Sequence, residues 1–223
     1  MTRANAFAAV LTPMANPTVE SELRRLLPGD LAWVTGRLVC QNADPIKRLI
    51  AYAEDLPGSL AQFDTMAISP LAFACTGSSY LIGPERERAI AASLSMPVIW
   101  AAAAIRAQLS VIGARRIAVI SPYPEALHQA GLAYWRAAGL NVVHAQRIEI
   151  GSADTRAIYA LGAGAAADAL VQARSIQCDA ILLSGTGMPT LDLIEPGNKV
   201  PVISSNYCLA MELIQAVQPK ELP

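Results

Sequence analysis

The chain has 223 residues, room for one large domain or for two lobes that each bury a core. Hydrophobic residues make up 53% and charged residues 16%, which suits an α/β protein whose parallel strands are buried on both faces. A formal net charge of −1, no Lys/Arg cluster and 5% aromatics exclude a nucleic-acid-binding surface.

The opening stretch "MTRANAFAAVLTPMANP" has too short an apolar run for a secretion leader before Pro13 ends it, and reads as a first strand over Ala6–Leu11. "SELRRLLPG" closes a helix at Pro28 and Gly29, and "ALHQAGLAYWRAAG" closes another at Gly139. Further strands are expected at Leu31–Val39, Thr65–Ala74, Arg116–Ile120, Asn141–Arg147, Asp179–Ser184 and Val200–Ser204, with helices between them. This is the βαβα rhythm of a parallel sheet. Thr65 to Pro84 carry no charge over twenty positions, but two prolines, two glycines, two threonines and three serines interrupt the run. A buried strand and its turn explain it better than a membrane span. Cys40, Cys75, Cys178 and Cys208 match no zinc spacing and read as free thiols of a reducing, cytoplasmic compartment. His128 and His144 add no metal site and read as helix-surface or strand residues.

The two halves resemble each other. "AAVLTPMANP" has the form of "IAVISPYPEA", "FACTG" that of "LLSGTG", and "MPVIWAAAAI" that of "VPVISSNYCLAMELI", in the same order. This implies a duplication of about one hundred residues and two lobes related by a pseudo-two-fold axis. The expected division is an N-terminal lobe, 1–110, completed by a C-terminal helix, 205–223, and a second lobe, 111–204. Ligands of parallel α/β lobes bind beyond the C-terminal strand ends, so the loops after Leu11, Ala74, Ile120, Ser184 and Ser204 should face one cleft.

Cys75 falls just past a strand end, with Thr76, Gly77, Ser78 and Ser79 opening the next helix. Unpaired amides and the helix dipole there would lower a thiol pKa and could hold a carboxylate or an enolate oxygen. The other reading is a small buried hydrophobe. At the equivalent place in the second half stands Gly185, so the cleft offers one thiol and not two.

"TPMANPTVE", "ACTGSSYLIG", "ISPYPEAL" and "SGTGMPTLDLIEPGNKVPVISSN", taken in order, resemble the Asp/Glu racemase superfamily in its maleate isomerase and arylmalonate decarboxylase branch. The resemblance covers nearly the whole chain. It implies Rossmann-like lobes and a cleft that works on small mono- or dicarboxylates with a cysteine, without cofactor or metal. Carried over, Cys75 matches the first-half catalytic cysteine of the isomerases, and Tyr123 the tyrosine that donates a hydrogen bond to substrate. Asn16 matches a substrate-contacting asparagine. Thr76, Gly77 and Ser78 would form one carboxylate or oxyanion pocket. Thr186, Gly187 and Met188, beside Gly185, would line its counterpart, and Asn206 matches a Ser-Asn pair after the last strand. Isomerases and racemases of the family carry a second-half cysteine where this chain has Gly185; decarboxylases carry only that one. The asparagine that isomerases carry near Ser152 to Thr155 is replaced by "GSADTRA".

Other readings of these residues stay open. Asn16 and Asn206 could cap helices, and Tyr123 could be a turn-packing ring. Cys208 reads as core, Cys178 lies at the strand end opposite the cleft, and Cys40 is the rival thiol. One thiol can add to a cis-enedioate, allow bond rotation and leave, or it can protonate the enediolate left by decarboxylation of a malonate. Racemisation needs acid and base on opposite faces and is disfavoured. The expectation is a cofactor-independent dicarboxylate isomerase, with a decarboxylase as alternative and a non-catalytic carboxylate-binding module as a third reading. No nucleic-acid or membrane partner is expected, and exposed alanine-rich helices would permit a homodimer.

Overall fold

The computed structural model describes residues 7–218, so the expected strand start at Ala6 lies outside the described residues. Strands form where short apolar runs are closed on both faces. β1 (Phe7–Pro13), β5 (Arg116–Ser121), β7 (Ala180–Leu183) and β8 (Val202–Ser204) are buried along almost their whole length. β2 (Trp33–Leu38) and β6 (Asn141–Arg147) lie at sheet edges and are half-buried. β3 (Ile68–Phe73) and β4 (Val98–Trp100) complete the set.

All seven expected strands are present, with most ends moved by one to three residues. Ladder pairing, not apolar character, ends a strand, so Thr65–Ala67 and Val200–Pro201 fall outside. β4 was not among the expected strands, although "MPVIWAAAAI" marks it through its likeness to the β8 segment.

The strands form two four-stranded parallel sheets, ordered β2-β1-β3-β4 and β6-β5-β7-β8. Shifting the first order by four gives the second, which is the duplication in three dimensions. In β3, Phe7 faces Ile68 but Ala9 faces Leu71, so an extra residue is absorbed near Pro70, which has no N–H for the ladder.

The helices are α1 (Thr18–Leu26), α2 (Pro45–Glu54), the single turn α3 (Leu56–Ser59), α4 (Thr76–Ala92), α5 (Ala101–Ile112), α6 (Glu125–Ala137), α7 (Ala167–Arg174) and α8 (Ser205–Val217). Asp44 caps α2 by accepting from the amides of Ile46 (2.8 Å) and Lys47 (3.2 Å), and Pro45 follows at the first helical position. α4 breaks at Gly83, whose φ of 76° no helix shares, and Pro84 opens its second segment. α4 packs on α2 and on α6, tying the halves together, and α8 follows the second sheet but packs on α1, α5, β3 and β4 of the first. The described part of α8 ends at Val217, and 219–223 of the expected 205–223 helix lie outside the described residues. The expectation of exposed alanine-rich faces is corrected in α5: Ala101, Ala102 and Ala104 are buried, because their small side chains allow close packing under α8 and α4. Among the described residues no helix is long and apolar enough to cross a membrane.

Candidate active site

The strand β3 delivers Cys75 to the rim of the first sheet, where it is the N-cap residue of α4 and only 4% exposed. Ser78, one turn on, places its hydroxyl oxygen 3.2 Å from Cys75 Sγ and 2.7 Å from Leu49 O of α2. One hydroxyl proton cannot serve both. It donates to the carbonyl while the sulfur is a thiol, and can turn to the sulfur when a thiolate forms.

Burial pushes the Cys75 thiol up from its ordinary value; the Ser78 hydroxyl and the amides of Ser78 and Gly77 offset only part of this. The expectation of a lowered pKa is therefore corrected, since loss of water outweighs the helix N-terminus. At neutral pH the thiol is protonated. Tyr123, after β5, lies across from it. Its hydroxyl is 3.0 Å from Thr76 Oγ1, its ring packs edge-on against Tyr80, and burial pushes its ionisation well above the ordinary tyrosine value. It is a neutral hydrogen-bonding phenol as well as a packing ring.

The second half closes the site directly. Thr186 Oγ1 donates to Ala74 O (3.0 Å), and Thr18 Oγ1 donates to Gly187 O (2.8 Å). Asn16 satisfies the start of α1, as the cap reading has it: its Oδ1 accepts from the amides of Thr18 (2.9 Å) and Val19 (3.4 Å), while its Nδ2 reaches Thr186 Oγ1 of the second half at 3.4 Å. Asn206 caps nothing. Ser204 accepts from Tyr207 N at the start of α8, while Asn206 Nδ2 donates to Thr186 O (3.0 Å) and Glu22 Oε2 (2.8 Å), leaving its buried Oδ1 without a partner.

Gly185 has φ 112°, and its amide donates to Ser205 Oγ at 2.9 Å. A Cβ there would stand 3.2 Å from the Pro122 ring and 3.5 Å from the Tyr123 hydroxyl, so the phenol flanks the place a second-half side chain would enter. Met188 is wholly buried. Hydrogen bonds and close contacts thus link Asn16, residues 75–78, Tyr123, residues 185–187 and Asn206 where the two halves meet.

Sequence reading missed four contributors. Glu22 of α1 is buried and accepts from the amides of Thr190 (2.5 Å) and Leu191 (2.8 Å) besides Asn206, bridging the halves. Arg48 of α2 is buried and pairs with Asp154 of the loop after β6 at 2.5 Å. Tyr52, four residues after Arg48, and Tyr159 both lie within electrostatic range of Cys75, and both phenols are pushed up by burial. The Arg48/Tyr52 spacing was the available signal; their partners come from a segment about one hundred residues away.

His128 is a correction. It lies on α6 but is buried, with Nδ1 2.8 Å from Ser121 Oγ, because α6 turns this face onto β5. Cys208 is core and Cys178 precedes β7, as read, while Cys40 lies in the loop between β2 and α2, partly exposed. A surface cavity of about 250 Å³ lined by Arg106, Leu109, Arg115 and Gly139 lies at the other end of the second sheet, away from Cys75. Among the described residues no group of three His, Cys, Asp or Glu side chains could hold a metal ion.

Residues 45–222 match the family model for arylmalonate decarboxylase. A curated maleate isomerase of Geobacillus stearothermophilus is 26% identical over 157 residues, 63% of this chain and 62% of the relative, so the match spans less than two thirds of that protein. Among solved structures, a maleate cis-trans isomerase of Nocardia farcinica with a covalently bound succinylcysteine intermediate superposes with a TM-score of 0.79 at 22% identity, covering 95% of this chain and 92% of that one. A liganded arylmalonate decarboxylase in which a glycine is replaced by cysteine and a cysteine by serine superposes at 0.79 with 19% identity, covering 96% and 93%. These likenesses establish a shared fold.

Proposed function

Because the chain belongs to the arylmalonate decarboxylase family, we propose that it is a cysteine-dependent isomerase of small dicarboxylates, with Cys75 and Tyr123 as its catalytic residues and Asn16, Thr76, Gly77, Ser78, Gly185, Thr186, Gly187 and Asn206 around the substrate. The observation that carries the reading is the position of Cys75 Sγ: on the N-cap residue of α4, 3.2 Å from the Ser78 hydroxyl, beside a neutral Tyr123. The covalent succinylcysteine of the Nocardia protein supports it by analogy.

In the reaction, Cys75 sulfur bonds to one alkene carbon of a cis-enedioate, and the π electrons move toward the adjoining carboxylate. The charge developing there is met by the N-terminal amides of α4 and by the Tyr123 hydroxyl. The thiol proton ends on the neighbouring carbon, giving a single bond that can rotate. Reversal of the same steps breaks the S–C bond, restores the thiol and releases the trans isomer. A neutral resting thiol therefore suits the chemistry, because its proton is used in the addition.

A second reading is favoured by the same burial. A thiol held protonated is an acid, and can protonate the enediolate formed when a disubstituted malonate loses carbon dioxide: the C–C electrons stay on the enediolate, the thiol proton goes to carbon, and solvent reprotonates the sulfur. The liganded decarboxylase variant, which carries an introduced cysteine and lacks an original one, supports this alternative. A proton NMR time course in deuterated water, with maleate and an α-methyl-α-aryl malonate and with Cys75→Ala as control, separates the two. Growth of the fumarate signal, lost in the variant, is the expected outcome. A deuterated arylpropionate instead would make the enzyme a decarboxylase, and no change in either would remove both readings.

A further inference from the structure

We infer that Arg48 is a specificity-determining residue: the receiver for a second carboxylate of the substrate, kept in place by Asp154 until that carboxylate arrives. The inference rests on the proposed dicarboxylate chemistry and adds the group that selects dianions over monoanions.

Among the described residues Arg48 is the only buried lysine or arginine. Its guanidinium donates to Asn42 O (3.1 Å) and to Asp154 Oδ1 (2.5 Å), and its side chain is 4% exposed. Asp154 is shared: its Oδ2 takes Nε (3.0 Å) and Nη2 (2.6 Å) of Arg156. Two guanidiniums on one carboxylate leave one positive charge in excess. A buried cation normally has a counter-ion of its own, and here the counter-ion is divided.

The placement connects this excess charge to the chemistry. Leu49, the next residue, accepts the Ser78 hydroxyl that sits against Cys75 Sγ, and one turn further on α2 stands buried Tyr52. Tyr159, from the same loop as Asp154, lies against Gly187 and, like Tyr52, within electrostatic range of both Cys75 and Arg48. The amides of α4 provide for one carboxylate. A second, on the far side of the reacting carbon, meets a planar fork of donors suited to bidentate binding. Substrate carboxylate would take over the position of Asp154 Oδ1 on Arg48, and Arg156 would keep Asp154 paired. Loss of a carboxylate as carbon dioxide would carry its charge away from the guanidinium paired with it, so that ion pair favours retention of the group and with it isomerisation.

The test is calorimetric titration of maleate and of its half-amide, maleamate, in a Cys75→Ser background, with Arg48→Met, Arg48→Lys and Asp154→Asn added singly and folding checked by circular dichroism. Maleate should bind at least tenfold tighter than maleamate, and Arg48→Met should weaken maleate about 10- to 100-fold while leaving maleamate unchanged. Arg48→Lys should retain part of the preference. Asp154→Asn, which removes the competing carboxylate, should tighten maleate several-fold. If Arg48→Met weakens both ligands alike, or Asp154→Asn weakens maleate, the pair only fastens the loop and the inference is overturned; equal affinities or no maleate binding overturn it too. Should Arg48→Met fail to fold, Arg48→Lys and Asp154→Asn decide. Discrimination without turnover by the unsubstituted enzyme refutes the isomerase reading alone, and turnover without discrimination refutes this inference alone.

Discussion

Cys75 sits where a helix N-terminus and a dry interior act on its proton in opposite directions, and the interior prevails. Its alkylation by iodoacetamide, followed by mass spectrometry, should therefore rise with pH only beyond the ordinary thiol range. Ser78→Ala removes the hydroxyl that can turn to a forming thiolate, and should shift the profile further up and slow alkylation at pH 8 by roughly tenfold. A profile with its midpoint below neutrality would contradict the burial argument. Gly185 tests the other wall. With φ at 112° and a Cβ 3.2 Å from the Pro122 ring, Gly185→Ala should cost about 1–3 kcal/mol in urea denaturation. A cost near zero would mean that the backbone there relaxes freely.

At the scale of elements, the helix α1 and the loop after β7 are joined through one carboxylate. Glu22→Ala leaves the amides of Thr190 and Leu191 and the Asn206 side chain without their acceptor, and should destabilise by roughly 2–5 kcal/mol; Glu22→Gln keeps one acceptor oxygen and should cost less. The loop after β6 is held differently. The Arg156 side chain, followed by its amide and by Arg48, holds Asp154 well below the usual carboxylate value, at about 2 in place of 3.8. A carboxylate depressed in the fold stabilises fully above its unfolded pKa, so the contribution is constant at neutral pH and fades as pH falls from about 4 toward 2. The melting-temperature gap between the unsubstituted protein and Asp154→Asn should be flat from pH 5 to 8 and close in that acid window. Because Asp154 is partly solvent-exposed, the gap should be small, about 1 kcal/mol or less in equivalent stability.

At the scale of the whole molecule, the two sheets are not independent bodies. Thr18 to Gly187, Thr186 to Ala74, Glu22 to Thr190 and Asn206, and the packing of α8 on the first half all cross between them. Urea unfolding should therefore be one transition, with tryptophan fluorescence (Trp33 and Trp100 in the first sheet, Trp135 on α6) and far-ultraviolet circular dichroism superimposing. Separate midpoints would mean that the halves unfold apart. By itself the sequence determined seven of the eight strands, the duplication, and the place of Cys75 just past a strand end with Gly185 at the matching place in the second half. These depend on apolar runs, glycine and proline positions and local spacing, all written within a few residues of each other. Only the tertiary structure decided that burial keeps Cys75 protonated, that Asn206 ties Glu22 where a cap was one reading, and that Arg48 of the first half meets Asp154 of the second. Burial and long-range pairing set those properties, because the field at a buried group comes from segments that fold against it and not from its neighbours in the chain.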